Sequence, residues 1–219
     1  HDLMHRYERH FAEYKNGVFE MREKHYNMIC KYSENVIVDS NMGKKHVIES
    51  YNYPKNKIYV LPFTVPSYLS KKQNKRIKLK LPKKYLFYPA QFWEHKNHMN
   101  LISALKISFK EIDDLHLVLS GVKKSFFEKI FDKIKENNLE KKILVLGRVK
   151  DEHMKYLYKN SFATVFVSLL GPTNIPPLEA ISLNSPLICS NVYAMKEQLK
   201  NAALYVDPND PKDISKAIN

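Results

Sequence analysis

Three short stretches combine residue types whose spacing could do chemistry. Residues 171–180 read GPTNIPPLEA and follow the apolar run FATVFVSLL. Pro176 and Pro177 lack backbone N–H groups and fit only the first turn of a helix, which Thr173 or Asn174 can cap. The N–H groups of Asn174, Ile175 and Leu178 would then face out of the helix end, where the peptide dipole favours an anion such as a diphosphate. Glu179 sits one turn in and leans toward that end. A carboxylate is a poor neighbour for phosphate and a good acceptor for the vicinal diol of a ribose. On its own, a glutamate near a helix start is also an ordinary favourable charge on a solvated face.

The second stretch is YPAQFWEHKNH, residues 88–98, with Lys96 just ahead of a helix that opens near Asn97. A lysine at a helix N-terminus is electrostatically misplaced unless an anion binds there. His95 and His98 have no third ligand nearby in sequence and read as loop and cap residues, so no metal site is expected. In the third stretch, VLGRVKDEHM, Gly147 and Arg148 follow a strand and Asp151 can cap the next helix. Arg148 suits a phosphate and a plain surface position equally well.

The elements that must position these loops alternate. After residue 84 the apolar runs YLFYPA, LHLVLSG, KILVLG, FATVFVS, PLICS and ALYVDP are separated by helical patterns, one of which places Phe126, Phe127, Ile130, Phe131 and Ile134 on one stripe. Continuous apolar runs indicate strands buried on both faces, and right-handed crossovers then give a parallel sheet. The expected fold class is α/β, a Rossmann-like doubly wound parallel sheet over residues 85–219, cut short at its C-terminal end. Residues 1–70 read as the last part of a second Rossmann-like domain, and 71–84 as a basic linker. The chain lacks an initiator Met and ends within about two turns of a helix start, so it reads as a fragment of a longer protein.

The net charge of +13 is concentrated in that linker: KKQNKRIKLKLPKK holds eight basic residues and no acidic one, leaving +5 elsewhere. One such block is a solvated tether before it is a lipid or nucleic-acid contact, and nucleic acid is not expected as a partner. An upstream helix with Arg6, Arg9, His10 and Arg22 among Tyr7, Phe11 and Tyr14 could rest on a lipid surface or simply be a surface helix. Cys30 and Cys189 lie far apart with no zinc or dithiol spacing, and no apolar run approaches the roughly 20 residues that span a bilayer. No G-x-G-x-x-G follows the first strand of the main domain, which argues against a nicotinamide dehydrogenase.

Taken in order, these loops resemble the nucleotide-binding domain of retaining glycosyltransferases of the GT-B fold, in the large group called family four. YPAQFWEHKNH is similar to that family's phosphate-gripping segment, GPTNIPPLEAISLNSPLICSN to its glutamate motif, and NVIVDSNMGKKHVIESYNYPKNKIYVLPFTV to the end of its N-terminal domain. HDLMHRY resembles its His-Asp loop. The resemblance implies metal-independent transfer of a sugar, with retention, from a nucleoside-diphosphate sugar to a saccharide or lipid-linked acceptor, without a separate cofactor. The implied donor is a UDP- or GDP-sugar, and the implied setting polysaccharide or lipopolysaccharide assembly in the cytoplasm, at or near the inner face of the membrane. By position, Glu179 would hold the ribose, Lys96 the diphosphate, and His1 would approach the donor sugar, while Gly147, Arg148 and Val149 would lie beside the base. Two positions depart from the family pattern. Gly171 stands where a second glutamate is usual, so Thr173 or Asn174 would take over a sugar hydroxyl; Gln91 stands where an arginine is usual, so Arg148 would help with the diphosphate. A nucleotide-sugar epimerase or phosphorylase of the same architecture, and a basic nucleic-acid-binding module, are the alternative readings.

Overall fold

The computed structural model describes residues 2–70 and 77–219. His1, expected at the donor sugar, and residues 71–76 of the basic linker lie outside the described residues. The chain forms two compact units. One comprises the residues up to Phe63 together with Leu170–Asn174 and Val192–Lys200; the other comprises Thr64–Leu169, Ile175–Asn191 and Asn201–Asn219. The first unit thus ends ahead of residue 70 and takes in two excursions from the C-terminal half, a grouping that local composition does not signal.

The first unit contains helices α1 (Met4–Tyr7), α2 (Val18–Tyr32) and α3 (Asn41–Tyr51) and the strands β1 (Val36–Val38) and β2 (Ile58–Val60). The strands pair in parallel with Val36 opposite Ile58, so β1–α3–β2 is one turn of a parallel α/β layer. Ser40 starts α3 by accepting the Gly43 N–H at 3.0 Å. Leu3, Val38, Val47, Tyr53 and Ile58 form the core. The basic residues near the N-terminus are largely engaged within the unit. Arg6 forks onto both oxygens of Glu23 at 2.6 and 2.5 Å and lies over Tyr51, and Arg22 pairs with Asp2 at 3.0 Å.

The second unit is built on six parallel strands: β3 (Lys84–Pro89), β4 (Leu115–Ser120), β5 (Ile143–Gly147), β6 (Ala163–Phe166), β7 (Leu187–Ser190) and β8 (Leu204–Val206). Their spatial order is β5-β4-β3-β6-β7-β8, the doubly wound Rossmann order, with its reversal between β3 and β6. The helices α4 (His98–Ser108), α5 (Phe127–Glu136), α6 (Asp151–Asn160) and α7 (Ile175–Ser182) follow the first four of these strands; α8 (Met195–Leu199), in the first unit, precedes β8, and α9 (Pro211–Ile218) closes the chain. The apolar runs are strands because both faces are covered: Tyr85, Leu86, Phe87, Tyr88, Leu117, Val118, Val165 and Phe166 are all buried. On α5 the expected stripe buries Ile130 and Ile134, while Phe131 stays 36% exposed at its edge. A hydroxyl pair, Ser108 Oγ to Ser215 Oγ at 2.8 Å, ties α4 to α9. Burial pushes the Cys189 thiol up to about 12, which leaves it unreactive.

Two packing details carry measurable consequences. Gly121, directly after β4, donates its N–H to Gly147 O at 2.9 Å, and a Cβ there would stand 2.1 Å from the Ala90 carbonyl oxygen. Backbone cannot yield as a flexible side chain would. Gly121→Ala is therefore expected to lower unfolding free energy by about 3 kcal/mol in urea melts, with little change in the denaturant slope. His98 is 1% exposed, stacks on Phe92 at 5.0 Å, and has no hydrogen-bond partner on either ring nitrogen among the described residues. Burial, then Lys96, lowers its pKa from 6.5 to about 3. The unfolded chain takes up this proton and the folded one does not, so the contribution is complete above pH 6.5 and is lost as pH falls toward 3. Replacing His98 with Leu should remove about 1.4 kcal/mol per pH unit from the acid-side decline of stability; an unchanged slope would show the ring to be accessible to protons.

Candidate functional site

Strand order reverses between β3 and β6, so the loops leaving their carboxyl ends diverge and open a crevice. A cavity of about 200 Å³ there is bordered by Ala90, Gln91, Ser120, Gly121, Arg148, and Glu179 on α7, among others. A second hollow of about 340 Å³, reaching Trp93, His95, Lys96 and Phe166, shares Pro89, Ala90, Gln91 and Pro176 with the first. The two hollows adjoin along those four residues and are together called the groove.

The loop carrying Lys96 is held firmly. A 3₁₀ turn, Glu94–Lys96, ends at Asn97 in the left-handed conformation (φ 59°), which asparagine tolerates well, and α4 begins at His98. Asn97 is buried, and its side-chain amide donates to Val167 O at 3.0 Å and Pro208 O at 2.7 Å, while Leu169 N–H donates to His95 O at 2.8 Å. These bonds stitch the loop after β3 to the loop after β6. Lys96 Nζ lies 3.4 Å from Ser168 Oγ and 5.3 Å from the Phe166 ring, a half-buried cation at the groove wall. Gln91 is exposed and accepts a hydrogen bond from Trp93 Nε1 at 3.0 Å. Gly147 has φ +68°, and nothing stands within 4 Å of the Cβ direction, so its requirement is backbone shape alone.

Glu179 is 6% exposed. Its Oε1 accepts from Tyr68 OH at 2.8 Å and its Oε2 from Tyr158 OH at 2.6 Å. Burial, reinforced by the glutamate, raises both phenols well above their ordinary range, so each remains a donor. Neither tyrosine is visible as a site residue in the sequence. Tyr158 falls with Leu157 on the buried face of α6, where a tyrosine reads as core, although a buried phenol needs a polar partner and that need was the available signal. Tyr68 precedes Glu179 by 111 positions and carries no periodic pattern.

Gln91, Arg148 and Glu179 border the first hollow and Gln91 and Lys96 the second, while the expected helix-end anion site is corrected. The Asn174 N–H is taken by Gln198 Oε1 at 3.0 Å, and Gln198 Nε2 returns a bond to Asn174 O at 2.9 Å. Thr173 does not cap α7; its hydroxyl donates to the Asp39 carboxylate. The physical reason is that Asp39 is buried and must collect donors, here Ser40 and Thr173. Both Thr173 and Asn174 belong to the first unit. Ile175 is 40% exposed and Leu178 half-buried, and neither borders the groove. Pro176 and Pro177 supply no N–H, so the start of α7 is a poor anion cradle. Among the described residues no group of three or more His, Cys, Asp or Glu is placed to hold a metal, and no helix is long and apolar enough to cross a membrane.

Fold and groove together define a Rossmann-like α/β unit with a crevice at the reversal of a parallel sheet. Residues 70–219 match the family Glycosyl transferases group 1, and the chain belongs to it. It is 28% identical over 191 residues to the O-antigen chain mannosyltransferase RfbU of Salmonella typhimurium, covering 87% of this chain and 52% of that protein. To the O-antigen chain mannosyltransferase B of Escherichia coli it is 27% identical, covering 97% and 61%. The chain spans about half the length of the curated relatives it matches. Among solved structures, sucrose-phosphate synthase from Thermosynechococcus elongatus superposes with a TM-score of 0.77 at 18% identity (98% of this chain, 55% of that one). Anabaena Alr3699/HepE, in complex with UDP and glucose, gives 0.74 at 16% (91% and 57%). These two share the fold.

The Thr173 contact has a stability consequence of its own. Thr173→Val keeps the shape and leaves the Asp39 carboxylate one donor short, so a loss of about 1–3 kcal/mol is expected in chemical denaturation, with Thr173→Ser close to the parent.

Proposed function

We propose that these residues form the nucleotide-sugar-binding part of a retaining glycosyltransferase that builds polysaccharide or lipopolysaccharide. The observation that carries this reading is the Glu179 carboxylate at the groove, with Lys96 and Arg148 on the same groove. A carboxylate offers only acceptors and a vicinal diol offers donors, so Glu179 fits the ribose. Lys96 and Arg148 fit the diphosphate, and with Gln91 neutral they take most of its charge. Gly147 to Val149 lie beside the base. Transfer needs stabilisation of the departing diphosphate, which fixed cations in a closed cleft provide without an enzyme nucleophile or a bound metal.

The donor is a UDP- or GDP-sugar. The names of the curated relatives favour mannose, and the UDP bound to Alr3699/HepE supports a nucleoside diphosphate. The acceptor is a saccharide or lipid-linked glycan met on the cytoplasmic side, with peripheral contact at the inner membrane face. Nucleotide binding is assigned to these residues and transfer to the whole protein, this chain alone transferring weakly or not at all.

A thermal-shift panel of UDP-, GDP- and ADP-sugars tests the reading. A donor present at 100 times its dissociation constant should stabilise the chain by about 2.7 kcal/mol. Glu179→Gln and Lys96→Ala should each abolish most of that shift, each variant being read against its own ligand-free melting point. No shift with any donor, or an undiminished shift in both variants, would contradict it.

A further inference from the structure

We propose that Tyr68 and Tyr158 are positioning residues that set the Glu179 carboxylate so that it discriminates a ribose from a 2′-deoxyribose. This rests on the nucleotide-sugar reading of the groove and adds the device that makes its carboxylate selective.

An ionised carboxylate has about four lone-pair sites, two on each oxygen. The tyrosines fill one on each, Oε1 from Tyr68 at 2.8 Å and Oε2 from Tyr158 at 2.6 Å. One acceptor site per oxygen is left on a carboxylate that borders the groove. Two adjacent ligand hydroxyls, each donating, match that remainder. A sugar lacking one of them forfeits a hydrogen bond to a charged acceptor and leaves that lone pair unfilled inside the groove.

Both arms are rigid, which a steering role requires. Tyr158 is fully buried on α6 and packs edge-on against Phe87, ring centroids 5.0 Å apart at 84°. Tyr68 sits in the 3₁₀ turn Ser67–Ser70, which is anchored by buried Leu69 and by Lys155 Nζ donating to Leu69 O at 2.6 Å. The two donors approach different oxygens, so together they fix the rotation of the carboxylate as well as its place. A single donor would fix only one oxygen. Without either, the carboxylate can turn its free lone pairs away from the groove or meet the sugar through water.

Isothermal titration of the chain with UDP, GDP and their 2′-deoxy counterparts reads this directly. For whichever nucleotide the parent chain binds, the ribose form should be preferred by about 10- to 100-fold. Tyr158→Phe keeps ring and volume, and should bring that preference within about threefold; Tyr68→Phe, at a half-buried position, should reduce it in the same direction. Combining either change with Glu179→Gln should add little to Glu179→Gln alone, because the three residues act through one group. A preference undiminished in both phenylalanine variants would overturn the proposal and leave the groove as a nucleotide site. Equal binding of ribose and deoxyribose forms by the parent chain would remove the diol role of Glu179 and the proposal with it. Binding of neither UDP nor GDP would overturn the nucleotide-sugar reading itself. The ratio is measured on folded protein, so a general loss of stability does not move it.

Discussion

A carboxylate held in near-complete burial at the point where a parallel sheet reverses its strand order constrains everything around it. Burying such a charge without partners would cost several kcal/mol, so the structure must aim donors at it. The donors come from a turn far upstream and from the helix before β6, and those elements are fixed in turn by the sheet. Glu179 is therefore a property of the whole second unit more than of the motif in which it sits.

The groove beside it is made by topology. The helices after β3 and β6 lie on opposite faces of the sheet, and Asn97, by bonding Val167 and Pro208, ties the loop after β3 to the segments after β6 and β8. On the other wall Gly121 lets the backbone after β4 pass against Ala90 where any side chain would collide. The outcome is a crevice whose cationic part, around Lys96, and acceptor part, around Glu179, are held by separate sets of backbone contacts. A ligand that is anionic at one end and rich in hydroxyls beyond it suits that division. A nucleoside diphosphate is such a ligand.

The alternation of strand and helix was legible because strands covered on both faces read as unbroken apolar runs. Lys96 could be singled out because a cation is misplaced at a helix start, and Glu179 through the motif around it, since its charge suits such a start. What surrounds Glu179 was not. Tyr158 is indistinguishable from a core residue until its hydroxyl is seen to need a partner, and Tyr68 has no local pattern at all. The helix-end amides failed for a comparable reason: nothing near Thr173 and Asn174 announces Asp39, 134 positions away, or Gln198, each of which claims a polar group assigned from sequence to the ligand. Local rules identify which groups could bind an anion; long-range contacts decide which of them are already occupied.

The central claim is that one ligand spans the groove from the lysine to the glutamate. A crystal structure of the chain soaked with UDP or GDP tests it most directly. The ribose diol should lie within hydrogen-bonding distance of Glu179 and the diphosphate beside Lys96, in the hollow that Pro176 borders. Electron density for the nucleotide anywhere else on the molecule, or with its ribose turned away from Glu179, would contradict it.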